Sequence, residues 1–122
     1  AAADFAVVGN LTAATKSFNI KHPTKANKRL FHGSLEGAEH GVYFRGKSRG
    51  KIISLPEYWS NLVDYDTITV QLTPIRFFQQ LWVETIENDE INIASDQEEV
   101  HYFYLVHAER KDVDKLEIEV DA

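Results

Sequence analysis

With 122 residues the chain has room for one domain built on one hydrophobic core. The absence of cysteine excludes disulfides, thiolate metal ligands and a cysteine nucleophile, and it suits folding in a reducing cytoplasm. A net charge of −6 argues against a nucleic-acid binder, and no apolar run approaches the roughly 20 residues that membrane insertion of a helix requires.

Residues 1–15 differ in texture from the rest. They begin Ala1-Ala2-Ala3, with neither an initiator Met nor a basic, then apolar, secretory signal, so the chain reads as a fragment or a processed product. Residues 4–14 are small and lightly charged around a Gly9-Asn10 turn, with a short strand expected over 5–8. Such a stretch has no core of its own and is stable only when copies pair, which points to a stalk leading into a globular domain over 16–122.

Within that domain, period two dominates. Strands are expected over 16–21, 30–35, 42–47 and 51–55, separated by Pro23, by the 36–41 turn and by Ser48-Arg49-Gly50. Residues 56–63 break the alternation, and Pro56-Glu57 predicts one helical turn there. Alternation resumes over 67–73, where Ile68, Val70 and Leu72 share a face, then over 77–86 and 90–94 around Asn88-Asp89. Residues 100–108 are apolar on both faces, the mark of a central strand. Leu116, Ile118 and Val120 alternate with Glu117 and Glu119 and predict a last strand. Strands at roughly ten-residue spacing make the fold all-β, an antiparallel β-sandwich or barrel-like domain.

Charge is unevenly spread. Lys16, Lys21, Lys25, Lys28 and Arg29 occupy a segment without acids, and residues 84–99 hold seven acids without a base. The two segments either meet, within or between subunits, or are solvated loops of opposite sign; the small worth of surface ion pairs favours the loops.

Catalytic chemistry finds little footing. The five histidines show no H-x-H or H-E-x-x-H spacing. His32 and His40, flanking the Gly37 turn beside Glu36 and Glu39, form the best metal or acid–base cluster, although polar loop residues bonding their own turn explain them as well. No serine sits in a G-x-S-x-G elbow, and the glycines form no phosphate-cradling loop. The chain therefore reads as non-enzymatic, with no cofactor or metal. Aromatic residues offer more. Tyr58-Trp59 follow Pro56 outside the alternating strands, and an exposed ring there, with Glu39 and His40, would make a receptor or glycan surface. Core packing is the competing account of Trp59. Trp82, sharing a strand face with Phe78 and Ile86, is expected in the core or at a subunit interface.

Five phrases occur in order along the chain: KSFNIKHP from Lys16, LEGAEHGVYFRG from Leu35, LPEYW from Leu55, ITVQLTPI from Ile68 and AERKDV from Ala108. Together they resemble the C-terminal, distal β-rich domain of tailed-bacteriophage tail fibre and virion structural proteins, cyanophages among them, over about residues 16–120. The resemblance implies a structural module of a virion appendage, made in the host cytoplasm and acting as a homotrimer with other virion tail proteins, with residues before Lys16 as the end of a fibre shaft. A tip surface touching a host surface glycan or receptor would fit that role; a carbohydrate-binding module or a capsid decoration protein are the alternatives. A self-cleaving chaperone domain often adjoins such modules, and nothing here looks like its Ser–Lys machinery. On this reading Phe5, Val7, Leu11, Phe18 and Ile20 line the threefold axis. Two residues depart from the resembled pattern, both at turns: Ala38 stands where Pro is expected and Arg76 where Gly is expected.

Overall fold

A computed structural model of the protein describes residues 4–122. The chain is mostly β, with antiparallel pairing throughout, and its strands run in chain order as β1 (Ser17–Lys21), β2 (Arg29–Gly33), β3 (Gly41–Ser48), β4 (Ile52–Ser54), β5 (Thr69–Pro74), β6 (Leu81–Glu87), β7 (Glu90–Ser95) and β8 (Tyr102–Glu109). β1 and β2 form a hairpin; the others make two three-stranded sheets ordered β3-β8-β5 and β4-β7-β6. The strand that is apolar on both faces, β8, is the centre of its sheet.

Alternation decides what each sheet buries. Val42 and Phe44 of β3 lie opposite Ala108 and Val106 of β8, and Val70 and Leu72 of β5 lie opposite Val106 and Tyr104. From the second sheet Ile53, Ile91 and Ile93 join the same buried cluster. The chain crosses between the sheets at the tight Arg49-Gly50 turn, where the Tyr102 hydroxyl donates to the Gly50 carbonyl at 2.7 Å.

The non-alternating segment is a 3-10 helix, Glu57–Asn61, followed by a second short one, Tyr65–Thr67. The first drives Trp59, Leu62 and Val63 into the core, all of them fully buried. Phe44 meets the Trp59 ring edge-on at 5.1 Å between centroids.

Two expected strands do not form. Residues 5–8 and 116–120 lie outside any sheet, and Phe5, Val8, Ile118 and Val120 are open to solvent. Alternation makes a segment fit to pair, but pairing needs a free edge in reach. Beyond β8 the chain is held to the fold by Lys111, whose N–H donates to the Leu62 carbonyl at 2.8 Å and whose Nζ donates to the Ser60 carbonyl at 2.9 Å, and by Lys115, whose Nζ donates to the Glu109 carboxylate at 3.0 Å.

Candidate functional site

The residues expected at functional surfaces fall into three environments. The first is a seam of rings that fastens the β1–β2 hairpin to the 3-10 helix. The guanidinium of Arg110 lies 4.3 Å from the centre of the Phe18 ring, and His32 stacks on Phe18 with centroids 5.0 Å apart and planes at 8°. Tyr58 meets His32 and His22 edge-on, at 5.6 and 5.8 Å. Nδ1 of His22 accepts from the backbone of Thr24 and Lys25 at 3.2 and 2.9 Å, so the Pro23 turn is closed by its own histidine. Burial raises the pKa of Tyr58, which keeps its phenol protonated, and its hydroxyl stands 3.4 Å from Nε2 of His32. The seam is a packing device in which each ring is satisfied by its neighbours.

This geometry corrects two expectations. Trp59 is fully buried and cannot touch a receptor from inside the core, because a one-turn 3-10 helix places it on the inner side and Tyr58 on the rim. The His32–His40 cluster does not assemble either. His32 is engaged by Phe18 and Tyr58, and Glu36 reaches Lys16 at 3.3 Å. Among the described residues no group of three or more His, Asp or Glu could hold a metal ion. Glu39 and His40 are exposed in the β2–β3 loop; His40 lines a cavity of about 130 Å³ with Phe18 and Arg110, without Tyr58. The four proposed receptor residues thus do not form one platform.

The second environment is apolar surface that one copy leaves uncovered. Phe5 is 90% exposed, Val8 is wholly exposed and Leu11 is 65% exposed, and Val7 is open beside them. At the other end Ile118 is 66% and Val120 74% exposed. Phe18 and Ile20 differ from the three residues they were grouped with: they are partly buried against the chain's own core through the β1–β2 hairpin. Trp82 is 48% exposed, outside the core. By register it falls on the outer face of β6, opposite Ala94. A bulge between Val83 and Thr85 shifts the register beyond it, so that Ile86 lies opposite the buried Ile91 and no longer shares Trp82's face, while remaining 36% exposed itself.

The third environment is charge. Among the described residues no ion pair joins the basic segment to the acidic one; Lys16 and Lys25 pair with Glu36 and Glu57 instead. Both partners are exposed in each case, where a pair contributes little. The acidic β6–β7 connection is a tight turn with Asn88 and Asp89 at φ 53° and 60°, anchored where the Tyr65 hydroxyl donates to the Asp89 carboxylate at 2.6 Å. Burial and that bond push the Tyr65 pKa up to about 12.

No protein-family model, curated protein or solved structure matches this chain. Among the described residues no helix is long and apolar enough to cross a membrane.

Proposed function

We propose that this chain is a non-enzymatic structural module, built as a small β-sandwich, that works as a homotrimer in a virion appendage such as a tail fibre. The observation that carries the oligomer is the uncovered apolar surface at both ends: Phe5, Val8 and Leu11 before the first strand, Ile118 and Val120 after the last. Ile118 and Val120 alternate with acids as strand residues do, and Phe5, Val8 and Leu11 lie in an apolar stretch, yet neither segment has a partner strand within the copy. Closed symmetric assembly is the common way to cover such segments without leaving an edge open to uncontrolled pairing. The setting, a phage fibre or other virion protein, rests on the five ordered phrases described above.

The test is the solution mass of the purified chain by light scattering after size exclusion. Three copies per particle are expected. A monomer at every concentration would remove the oligomer and leave the terminal segments unexplained.

A further inference from the structure

The outward face of the β3-β8-β5 sheet carries a chemistry that the assembly reading does not use. By register it presents Arg45, Leu105 and Gln71 in one row and Lys47, Phe103 and Thr73 in the next. These six line an open cavity of about 540 Å³, with the Lys47 ammonium 5.9 Å from the centre of the Phe103 ring. At the Lys47 end the face continues into a second cavity of about 380 Å³, lined by Lys47, Ser48, Arg49, Arg76 and His101. In a chain of net charge −6, four cations thus gather at one end of a single sheet. Among the described residues no carboxylate lies within ion-pair distance of Arg45, Lys47, Arg49 or Arg76. Glu98 and Glu99 border Arg49 on its other side, in a separate cavity, and bound the cationic region there.

Two features mark this end as built. His101 is only 8% exposed, and its Nδ1 is buried without a hydrogen-bond partner. Its backbone is fixed from both sides by the buried Gln79, whose Oε1 accepts from the His101 N–H at 2.9 Å and whose Nε2 donates to the His101 carbonyl at 2.7 Å. The pair of bonds from Gln79 fixes the His101 backbone at the wall of the cationic cavity. Arg76 is the second feature. It adopts φ 77°, a left-handed conformation in which glycine is at ease and a branched-out side chain is strained. A cation is kept over the cavity at a position where backbone geometry favours no side chain at all.

We propose that this end of the sheet binds an oxyanion on an acidic saccharide, a uronate carboxylate or a sulfate ester. The guanidinium forks of Arg49 and Arg76 and the Lys47 ammonium would hold the oxyanion, with the His101 ring as part of the cavity wall. Phe103 offers a flat apolar face to the sugar ring, and Gln71 and Thr73 offer hydrogen-bonding groups to its hydroxyls. The combination of an anion clamp with an aromatic and neutral-polar floor fits a saccharide better than a bare phosphate backbone. Burial, and then the nearby Arg49, Arg76 and Lys47, hold the imidazole pKa below its ordinary value, as a pocket of unneutralised positive charge requires.

The test is calorimetric titration of the full chain with alginate and with dextran sulfate in about 0.15 M salt, against neutral dextran and a single-stranded oligodeoxynucleotide. At least one acidic polysaccharide should bind, and neutral dextran should not. Arg76→Gly should weaken that binding by roughly tenfold while leaving the melting temperature unchanged or raised, because glycine relieves the left-handed strain. Lys25→Gln, on the β1–β2 hairpin, should change it by less than about twofold. Absence of binding to both polyanions, or binding indifferent to Arg76→Gly, would overturn the proposal. Equal affinity for the oligodeoxynucleotide would overturn it as well, by making the face a general polyanion surface.

Discussion

Among the described residues, Trp59 and His101 are those with a buried side-chain nitrogen that has no partner, and they differ in consequence. Trp59 is enclosed on all sides by core, with Phe44 at its edge and its carbonyl accepting from Leu62 and Val63 at 3.1 Å. Its indole therefore acts through volume. Trp59→Ala should cost about 3–5 kcal/mol, a large part of the stability of a domain this size, read as a fall in the urea midpoint. A wild-type midpoint in that variant would mean the ring is not in the core. The same burial makes any loss of binding in Trp59→Ala a consequence of unfolding. At His101 the consequence is pH dependence. Its folded pKa lies below the ordinary value of 6.5, first through burial and then through the neighbouring cations. The unfolded chain therefore takes up a proton that the folded chain refuses. The neutral imidazole's contribution is complete above that ordinary value and is lost as pH falls through the depressed folded value. The urea midpoint should thus fall between about pH 7.5 and 5.5 in wild type, and fall less in His101→Gln. An equal fall in both would assign the acid sensitivity elsewhere.

At the scale of strands and turns, much was readable because period two is a geometric necessity of half-buried sheet. The strands over 42–47, 67–73, 90–94 and 100–108 form close to their expected bounds, and the break at Pro56 is a helical turn. What escaped was whatever depends on a neighbour. The bulge in β6 moves Trp82 and Ile86 to opposite faces, and a bulge follows from pairing with β7 rather than from local composition. The direction of a ring on a one-turn 3-10 helix depends on where the core lies, so Tyr58 and Trp59 could not be told apart. Gly46 is a further case. It lies directly opposite Tyr104, and a Cβ built on it would stand 2.6 Å from the tyrosine oxygen and 2.8 Å from Cζ. The tyrosine ring thus occupies the place a side chain would take, flanked by Phe44 and Tyr102. Gly46→Val should displace that ring and cost about 1–3 kcal/mol by urea denaturation. A neutral substitution there would show that Tyr104 has another place to go.

For the whole molecule, the candidate surfaces divide by what makes them visible. Of the uncovered terminal segments, residues 116–120 were legible through alternation and residues 4–14 through their small, lightly charged texture; that neither pairs within the copy is known only from the sheet order. The cationic face was not legible. Arg45 and Lys47 come from β3, Arg76 from the β5–β6 connection and His101 from the residue before β8, and only the β3–β8 and β5–β8 registers bring them to one end. The assembly reading then makes a separable demand on the N-terminal segment. Phe5, Val8 and Leu11 touch little in one copy, so replacing all three with serine should leave the fold of that copy intact, each exposed change being worth within about 0.5 kcal/mol. If the segments close a trimer, the same triple substitution removes the apolar area that drives association. Light scattering should then report one copy where the unaltered chain gives three, with the far-ultraviolet spectrum of the β-sheets preserved. A trimer that survives the triple substitution would move the interface away from residues 5–11, with Phe78, Ile118 and Val120, among the most exposed apolar side chains elsewhere, to be substituted next.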